Sequence, residues 1–451
     1  MKKIKHFLEN LKKKNKNSEI LPVANSGETA LAEKSEENKK SSAESTPVNS
    51  KIYIYEHGFD RPMLIIILLL SLFGLIMVYS SSYVYAHTYY GNSAYFVLRQ
   101  ARVLLLGILA MILMTKFGYK IIKIFTIPAF LTATLLLIAV LFIGTSEGEA
   151  QRWIFIGPIS FQPSELMKIA MILMIARVSS KYKKEIHKKN NFWKSTLYGL
   201  VIPGALIALS CLLVLLEKHL SGTIILFLIG FAMIWSNGSP KLWSILFSAL
   251  AVSAVALVIF FVSVYPEQVK ALVPDYMFTR VDSWLHPENY SELGDLWQTL
   301  QGQIAVGSGG FFGRGFGKSL QKHLFVSMPQ NDFIFAIVCE EMGFIGAITV
   351  IGLYIAFVVR GLYIARRAPD VFCSLTALGI SAHVGIQAFL NMAVVIGVIP
   401  NTGISLPFFS AGGSSLLFLF VEMGILLIIS KYTPMEELPK TKNSKNAERQ
   451  V

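Results

Sequence analysis

The chain has 451 residues, of which 53% are hydrophobic and only 15% charged, and its mean hydropathy is +0.55. A soluble globular protein is excluded, because a water-facing exterior cannot carry that much apolar surface. The formal charge of +13 does not indicate nucleic acid, since membrane proteins concentrate Lys and Arg in their cytoplasmic loops.

In chain order, residues 1–55 come first, rich in Lys, Glu, Asn and Ser. They cannot bury enough apolar surface to offset chain entropy and are predicted to be a disordered cytoplasmic tail. Their lysines fit a merely solvated segment or one that clings to anionic lipid. The first apolar run begins near residue 62, too far in for a cleavable signal peptide. Ten apolar segments follow, near 62–82, 96–115, 121–144, 164–181, 196–216, 220–237, 241–264, 333–359, 371–397 and 412–430. Each approaches the twenty or so residues that cross a bilayer core. The expected fold is all-α: a polytopic membrane domain over 56–432 with ten transmembrane helices. A large extracytoplasmic loop, 265–332, joins helices seven and eight, and 433–451 is a cytoplasmic C-terminal tail. Cys211, Cys339 and Cys373 all fall in apolar runs without metal-ligand spacing and read as packing residues.

Loop charge sets the orientation. Arg177, Lys181, Lys183, Lys184, Lys188, Lys189 and Lys194 fall between segments four and five. Arg360, Arg366 and Arg367 fall between eight and nine, and Lys116 and Lys120 between two and three. All lie on one side if both termini are cytoplasmic. Three unusual stretches then emerge on the outer face: 145–168, 265–332 and 399–415. The predicted site is extracytoplasmic, because loops held by rigid elements carry function.

Asp332 opens the eighth segment. It suits a helix N-cap, the blander reading, or a catalytic base at the membrane border. Arg152 and Trp153 stand before the fourth segment, and Glu165 and Lys168 lie three residues apart on its first turns. Glu165 and Lys168 form either an i, i+3 ion pair or an anion site for a lipid phosphate. Glu340 and Glu341 lie about 12–14 Å along the helix from Asp332 and are expected to pair structurally, Arg99 being one candidate partner. His383 and Glu422 are read the same way. The run GSGGFFGRGFGKS is no nucleotide loop, because Phe312 stands where that pattern requires glycine. Its glycines instead let an ordered loop fold tightly, with Arg314 and Lys318 near a phosphate.

Four stretches, RWIFIGPISFQPSELMK, WQTLQGQIAVGSGGFFGRGFGKSLQK, NDFIFAIVCEEMGFIG and QAFLNMAVVIGVIPNTGISLPFFSAGGSSLL, resemble the SEDS family (shape, elongation, division and sporulation) in that order. The likeness covers about residues 60–432, and GRGFGKSLQK is similar to the division-type branch more than the elongation-type one. It implies ten spans and peptidoglycan glycosyltransferase activity on lipid II outside the cytoplasmic membrane. It also implies an essential aspartate at Asp332, with Arg152, Trp153, Glu165, Lys168 and the Pro407–Ser415 segment, including Ser414 and Ser415, in the site. Departures are Gln330 and Asn331 before the aspartate, Ala411 before Gly412, and Lys218-His219-Leu220-Ser221 near span six, where the family has an acid.

The chemistry that this resemblance implies needs one carboxylate to activate a sugar hydroxyl. A glycosidase needs a second carboxylic acid, whereas a diphosphate leaves once its charge is offset by Arg, Lys or a divalent cation. Asp332 is the expected base, with Lys168, Arg152 and Arg314 or Lys318 on the diphosphate, and inversion at the anomeric carbon. Mg2+ or Mn2+ is the candidate metal; no organic cofactor is expected. The expected partners are lipid II, the growing glycan chain, membrane lipids and a class B penicillin-binding protein transpeptidase. A lipid II flippase and a non-catalytic scaffold that recruits the transpeptidase are the alternatives.

Overall fold

The computed structural model describes residues 52–436, apart from 57, 148–149, 157–158, 189–190, 239 and 292–295. Most of the tail predicted over 1–55 lies outside them. The exception is strand β1 (Ile52–Glu56), which pairs antiparallel with β5 (Tyr432–Glu436), Ile52 opposite Glu436. The first and last helices of the bundle therefore begin and end at the same face.

Every predicted apolar segment is helical. They are α1 (Arg61–Tyr90), α2 (Tyr95–Thr115), α3 (Tyr119–Ile143), α4 (Pro163–Lys181), α5 (Phe192–Leu216), α6 (Leu220–Ser236) and α7 (Lys241–Val264). After the 265–332 region come α11 (Ile334–Arg366), α12 (Val371–Val395) and α13 (Ser414–Ser430). By length and composition, α1, α2, α3, α5, α11 and α12 can each cross a membrane, and α6 and α13 are shorter apolar helices. Polar caps punctuate them. Asp60 accepts from Met63 N at 2.9 Å ahead of α1, and Asp370 accepts from Cys373 N at 2.8 Å ahead of α12. A π-helical turn at Leu197–Val201 precedes Pro203, whose ring cannot supply an amide to the ladder.

Within α1, Met63, Ile67, Leu70, Gly74 and Met77 form the buried stripe, while Ile65, Leu69, Leu72 and Ile76 face outward. Of the apolar stretch of α12, 61% is buried, against 17% for α2, so α12 is the central post and α2 faces outward. Helices α2 and α13 pack closely through small residues. Gly107 sits against the Phe420 ring, and Gly424 against Met111 and Met114.

Two predicted loops are structured. The 145–161 segment is a three-stranded antiparallel meander, β2 (Thr145–Glu147), β3 (Ala150–Ile156) and β4 (Ile159–Phe161). The 265–332 region carries α8 (Pro266–Leu272), α9 (Asp275–Leu285) and α10 (Trp297–Ser308) before the glycine-rich run.

That run docks onto a break in α11. Gly343 has φ 63° and ψ −157°, interrupting the helix within one turn of the two glutamates. The freed carbonyls of Glu340 and Glu341 accept from Arg314 N (2.9 Å) and Gly315 N (3.0 Å), and Phe344 N donates to Gly310 O (2.9 Å). Gly313, at φ 80°, rests where a Cβ would overlap the Glu341 carbonyl oxygen. Both glutamate side chains bind the same loop. Glu341 receives fully buried Lys322 Nζ and Ser80 Oγ, each at 2.6 Å, and the ammonium lies 4.8 Å from the Tyr83 ring centroid. Glu340 accepts from Ser319 Oγ, Leu320 N and Gln321 N. Structural pairing is therefore correct for both glutamates, but Arg99 is not the partner; it reaches Ser160 Oγ at 3.4 Å.

Candidate functional site

Asp332 sits just before α11, at the end where the other polar elements converge. Phe333 occupies the cap position and no side chain caps the helix, so the capping alternative for Asp332 does not describe this end. Two neighbouring segments fix its backbone. Asn391 Nδ2, on α12, donates to Asp332 O (2.7 Å) and Ile404 O (2.6 Å). Ser410 Oγ donates to Asn331 O (2.7 Å), and Ala411 N to Gln330 O (2.8 Å). The predicted 399–415 stretch thus serves as the clamp that holds the aspartate.

The carboxylate faces a cavity of about 330 Å³. Strand β3 contributes Arg152 and Trp153, the start of α4 Glu165 and Lys168, the α5–α6 junction His219, and α9 Arg280. Ser415 lines it as well. Lys168 Nζ meets Glu165 Oε1 at 2.9 Å and Gln387 Oε1 at 3.0 Å, which is the i, i+3 pair expected of them, held at the cavity wall. Gln387 Nε2 donates to Ser405 O (3.0 Å), which points its oxygen at Lys168 and at His383 Nε2 (2.9 Å). His383 Nδ1 lies 2.8 Å from Glu422 Oε2, the structural pairing assigned to them from the sequence.

Electrostatics separate the roles. Burial pushes the Asp332 carboxyl up to about 6, against the opposing pull of its own and Phe333's backbone N–H groups and of the Arg280 guanidinium. A carboxyl able to gain or lose a proton near neutral pH results. His219 is driven down to about 3, first by burial and then by Arg152, Lys168 and Arg280, so it presents a neutral imidazole 3.5 Å from Ser164 Oγ. Arg280 Nη1 donates to Thr402 O at 3.3 Å, which places a third cation beside Arg152 and Lys168.

The remaining predicted residues lie elsewhere. Ser414 Oγ accepts from Gln162 N (3.2 Å), joining α13 to the start of α4. Arg314 is 3.8 Å from Glu340 Oε1, and neither it nor Lys318 lines the cavity. Sequence reasoning misses Arg280 because 265–332 reads as loop; the amphipathic pattern of Phe278 and Asp282, one turn apart and buried, is the available signal. It also misses Glu217, one residue before the acid-free Lys218–Ser221 stretch. Glu217 is buried, which pushes its carboxyl up to about 8 while nearby Arg152 pulls it down.

A polytopic helical membrane protein with a cation-lined cavity around one raised carboxylate defines the class. The FtsW/RodA/SpoVE family model, described as "Cell cycle protein", matches residues 60–435, and the chain belongs to that family. It is 36% identical over 388 residues to the probable peptidoglycan glycosyltransferase FtsW of Bacillus subtilis (strain 168), covering 85% of this chain and 94% of the relative. It is 35% identical over 377 residues to stage V sporulation protein E of the same organism, covering 83% and 97%. Among solved structures, a chain of a peptidoglycan synthase complex coordinating polymerization and crosslinking matches with TM-score 0.65 at 24% identity, covering 83% of this chain and 98% of that one. The rod shape determining protein RodA of Thermus thermophilus matches with TM-score 0.59 at 23% identity, covering 83% and 97%. At these identities the two structures establish the fold alone.

Proposed function

We propose that this chain is a peptidoglycan glycosyltransferase that polymerises lipid II into glycan strands at the outer face of the cytoplasmic membrane, in division or shape maintenance. The observation that carries the reading is Asp332, a carboxylate raised to about 6 by burial, facing a cavity with Arg152, Lys168 and Arg280. The names of the similar proteins support the same activity.

In this mechanism Asp332 takes the proton of an incoming sugar hydroxyl as its oxygen bonds to the anomeric carbon of the donor. The bond from that carbon to the diphosphate breaks, and the electron pair leaves on the undecaprenyl diphosphate. Arg152 and Lys168 offset the departing charge, so no second carboxylic acid is required. Attack opposite the leaving group inverts the anomeric centre. Neutral His219 adds hydrogen-bonding capacity without competing for the anion. Among the described residues no three His, Cys, Asp or Glu side chains could together hold a metal ion. Mg2+ or Mn2+ therefore fits only in the manner of phosphoryl sites, on one or two carboxylates with the remaining ligands from substrate phosphates. Glu165 would be the cavity's carboxylate for that purpose, Asp332 being kept for the proton transfer, and the cation would add positive charge against the diphosphate.

Ten crossings with cytoplasmic termini belong to the same proposal. Pairing of β1 with β5 favours an even number of crossings. Basic residues gather at that end: Arg360 holds Asp60, Lys123 is 3.9 Å from Asp370, and Lys431 Nζ donates to Thr115 O at 2.8 Å. Asp332 stands at the other end of α11, beyond the break at Gly343. A class B penicillin-binding protein is the proposed partner, in line with the pairing of polymerization and crosslinking in the matching synthase complex.

The test is Asp332→Asn with purified lipid II. Polymerisation is expected to fall by about 10²–10⁴, the usual contribution of a positioned base, with the protein still folded. Undiminished polymerisation would remove Asp332 from the chemistry, and lipid scrambling in vesicles that ignores the substitution would favour a flippase.

A further inference from the structure

Asp332, Arg280 and Gly403 line not one cavity but two. The second, of about 630 Å³, lies between α9, the start of α10 and the 397–403 segment. Both volumes fall in the roughly 300–1,000 Å³ range of small-ligand sites. Their chemistry differs. Arg152 and Lys168 line only the first; in the second, Arg280 is the single Lys or Arg among the described lining residues. Tyr276, Thr279, Trp284, Gln298, Thr299 and Asn401 line the second instead.

We infer that the second cavity binds the uncharged terminal sugar whose hydroxyl attacks, and that the cation-lined cavity binds the diphosphate of the donor, the two meeting at Asp332. This rests on the glycosyltransferase reading above. A sugar offers hydroxyl and amide groups with apolar C–H faces, and is matched by neutral amides, hydroxyls and aromatic rings. A diphosphate is matched by fixed cations. The second cavity's polar groups are held in place. Trp284 Nε1 donates to Gly397 O at 2.9 Å, and Asn401 Nδ2 lies 3.4 Å from Thr299 Oγ1. The shared wall is thin because residue 403 is glycine, at φ 66°, where a Cβ would stand 3.7 Å from Asp332 Oδ2. No side chain at that position separates the carboxylate from either cavity. A hydroxyl entering from the second cavity gives its proton to Asp332. Its oxygen bonds to the anomeric carbon, and the carbon–oxygen bond to the diphosphate breaks with the electron pair leaving into the first cavity.

The experiment uses the full chain in detergent with two probes: N,N′-diacetylchitobiose, which is uncharged and carries neither phosphate nor lipid, and inorganic pyrophosphate. Equilibrium dialysis measures each against wild type, Thr299→Val, Gln298→Ala and Lys168→Gln. Thr299→Val and Gln298→Ala are expected to weaken chitobiose binding about tenfold, as loss of one or two hydrogen bonds implies, and to leave pyrophosphate binding within about twofold. Lys168→Gln is expected to do the reverse, and retained binding of the other probe certifies each fold. Chitobiose binding that follows Lys168 and ignores Thr299 and Gln298 overturns the assignment, as does a wild-type chain with no saturable chitobiose binding. Two separable probe sites in a wild-type protein that makes no glycan from lipid II would sink the transferase reading and leave both cavities standing as binding sites.

Discussion

Two acidic regions lie within ten residues of each other around the start of α11, and they differ in what their carboxylates meet. Glu340 and Glu341 are fully buried and fully engaged: Lys322, Ser80 and Ser319, with two backbone amides, consume their oxygens. Asp332 faces a cavity, its carboxyl raised by burial, with main-chain amides and a more distant guanidinium as its counterweight. The glutamates fasten the glycine-rich loop to a broken helix; the aspartate is left able to exchange a proton. An acidic residue near a membrane border thus reveals its role by what remains unsatisfied around it, since a satisfied carboxylate stabilises and an underpartnered one is available for chemistry.

The sharpest way to break that contrast is to neutralise one member of each region. Lys322→Met leaves Glu341 charged and buried with only Ser80, and should cost about 3–5 kcal/mol of stability. Asp332→Asn should move stability the other way. Because folding raises this carboxyl from 3.8 to about 6, its ionised form is a burden above pH 6, a burden that fades as pH falls from 6 toward 3.8. The asparagine variant should therefore gain about 1–2 kcal/mol at pH 7, discounted for partial exposure, and nothing near pH 4. Thermal unfolding of both variants in the same detergent measures it. Equal destabilisation by the two would mean that Asp332 is structural like its neighbours.

The second test is the pH profile of polymerisation. If Asp332 is the base, it works as its carboxylate, and the rate should drop about tenfold per unit below pH 6. Arg280→Gln removes a charge that favours that carboxylate, so the midpoint should move upward. A rate flat between about pH 5 and 8 contradicts a base of this kind.

How much of this was legible in the sequence follows from distance along the chain. Helical segments were readable because a twenty-residue apolar run has few other ways to satisfy its backbone in lipid. Glu165 and Lys168 were readable because their pairing depends only on a three-residue spacing. Arg280, His219, Gln387 and Asn391 were not, because they come from separate elements and only tertiary packing sets them around Asp332. The partner of Glu341 was equally out of reach. Lys322 follows a glycine run, and nothing local says that the run turns back onto a kink at Gly343.

A third experiment attacks the clasp through its backbone. Gly313→Ala demands a positive φ of an alanine and drives its Cβ into the Glu341 carbonyl, so the loop must lift from α11 at a cost of about 1–3 kcal/mol. Proteolysis within 309–328 should accelerate.

Arg314 gives the smallest expected effect and tests where the boundary between the regions runs. Read from the sequence, it is a candidate for the diphosphate. In the structure its side chain is 38% exposed and its guanidinium lies 3.8 Å from Oε1 of Glu340, a carboxylate that already accepts from Ser319, Leu320 and Gln321. Such a half-exposed pair contributes less than about 1 kcal/mol, so Arg314→Ala should shift thermal unfolding slightly and leave polymerisation within about twofold. Lys168→Gln, by contrast, removes a cation from the cavity wall and should reduce kcat by about tenfold or more. If Arg314→Ala matches Lys168→Gln in kcat, the glycine-rich loop reaches the leaving group during turnover, and the clasp on α11 is part of the active site.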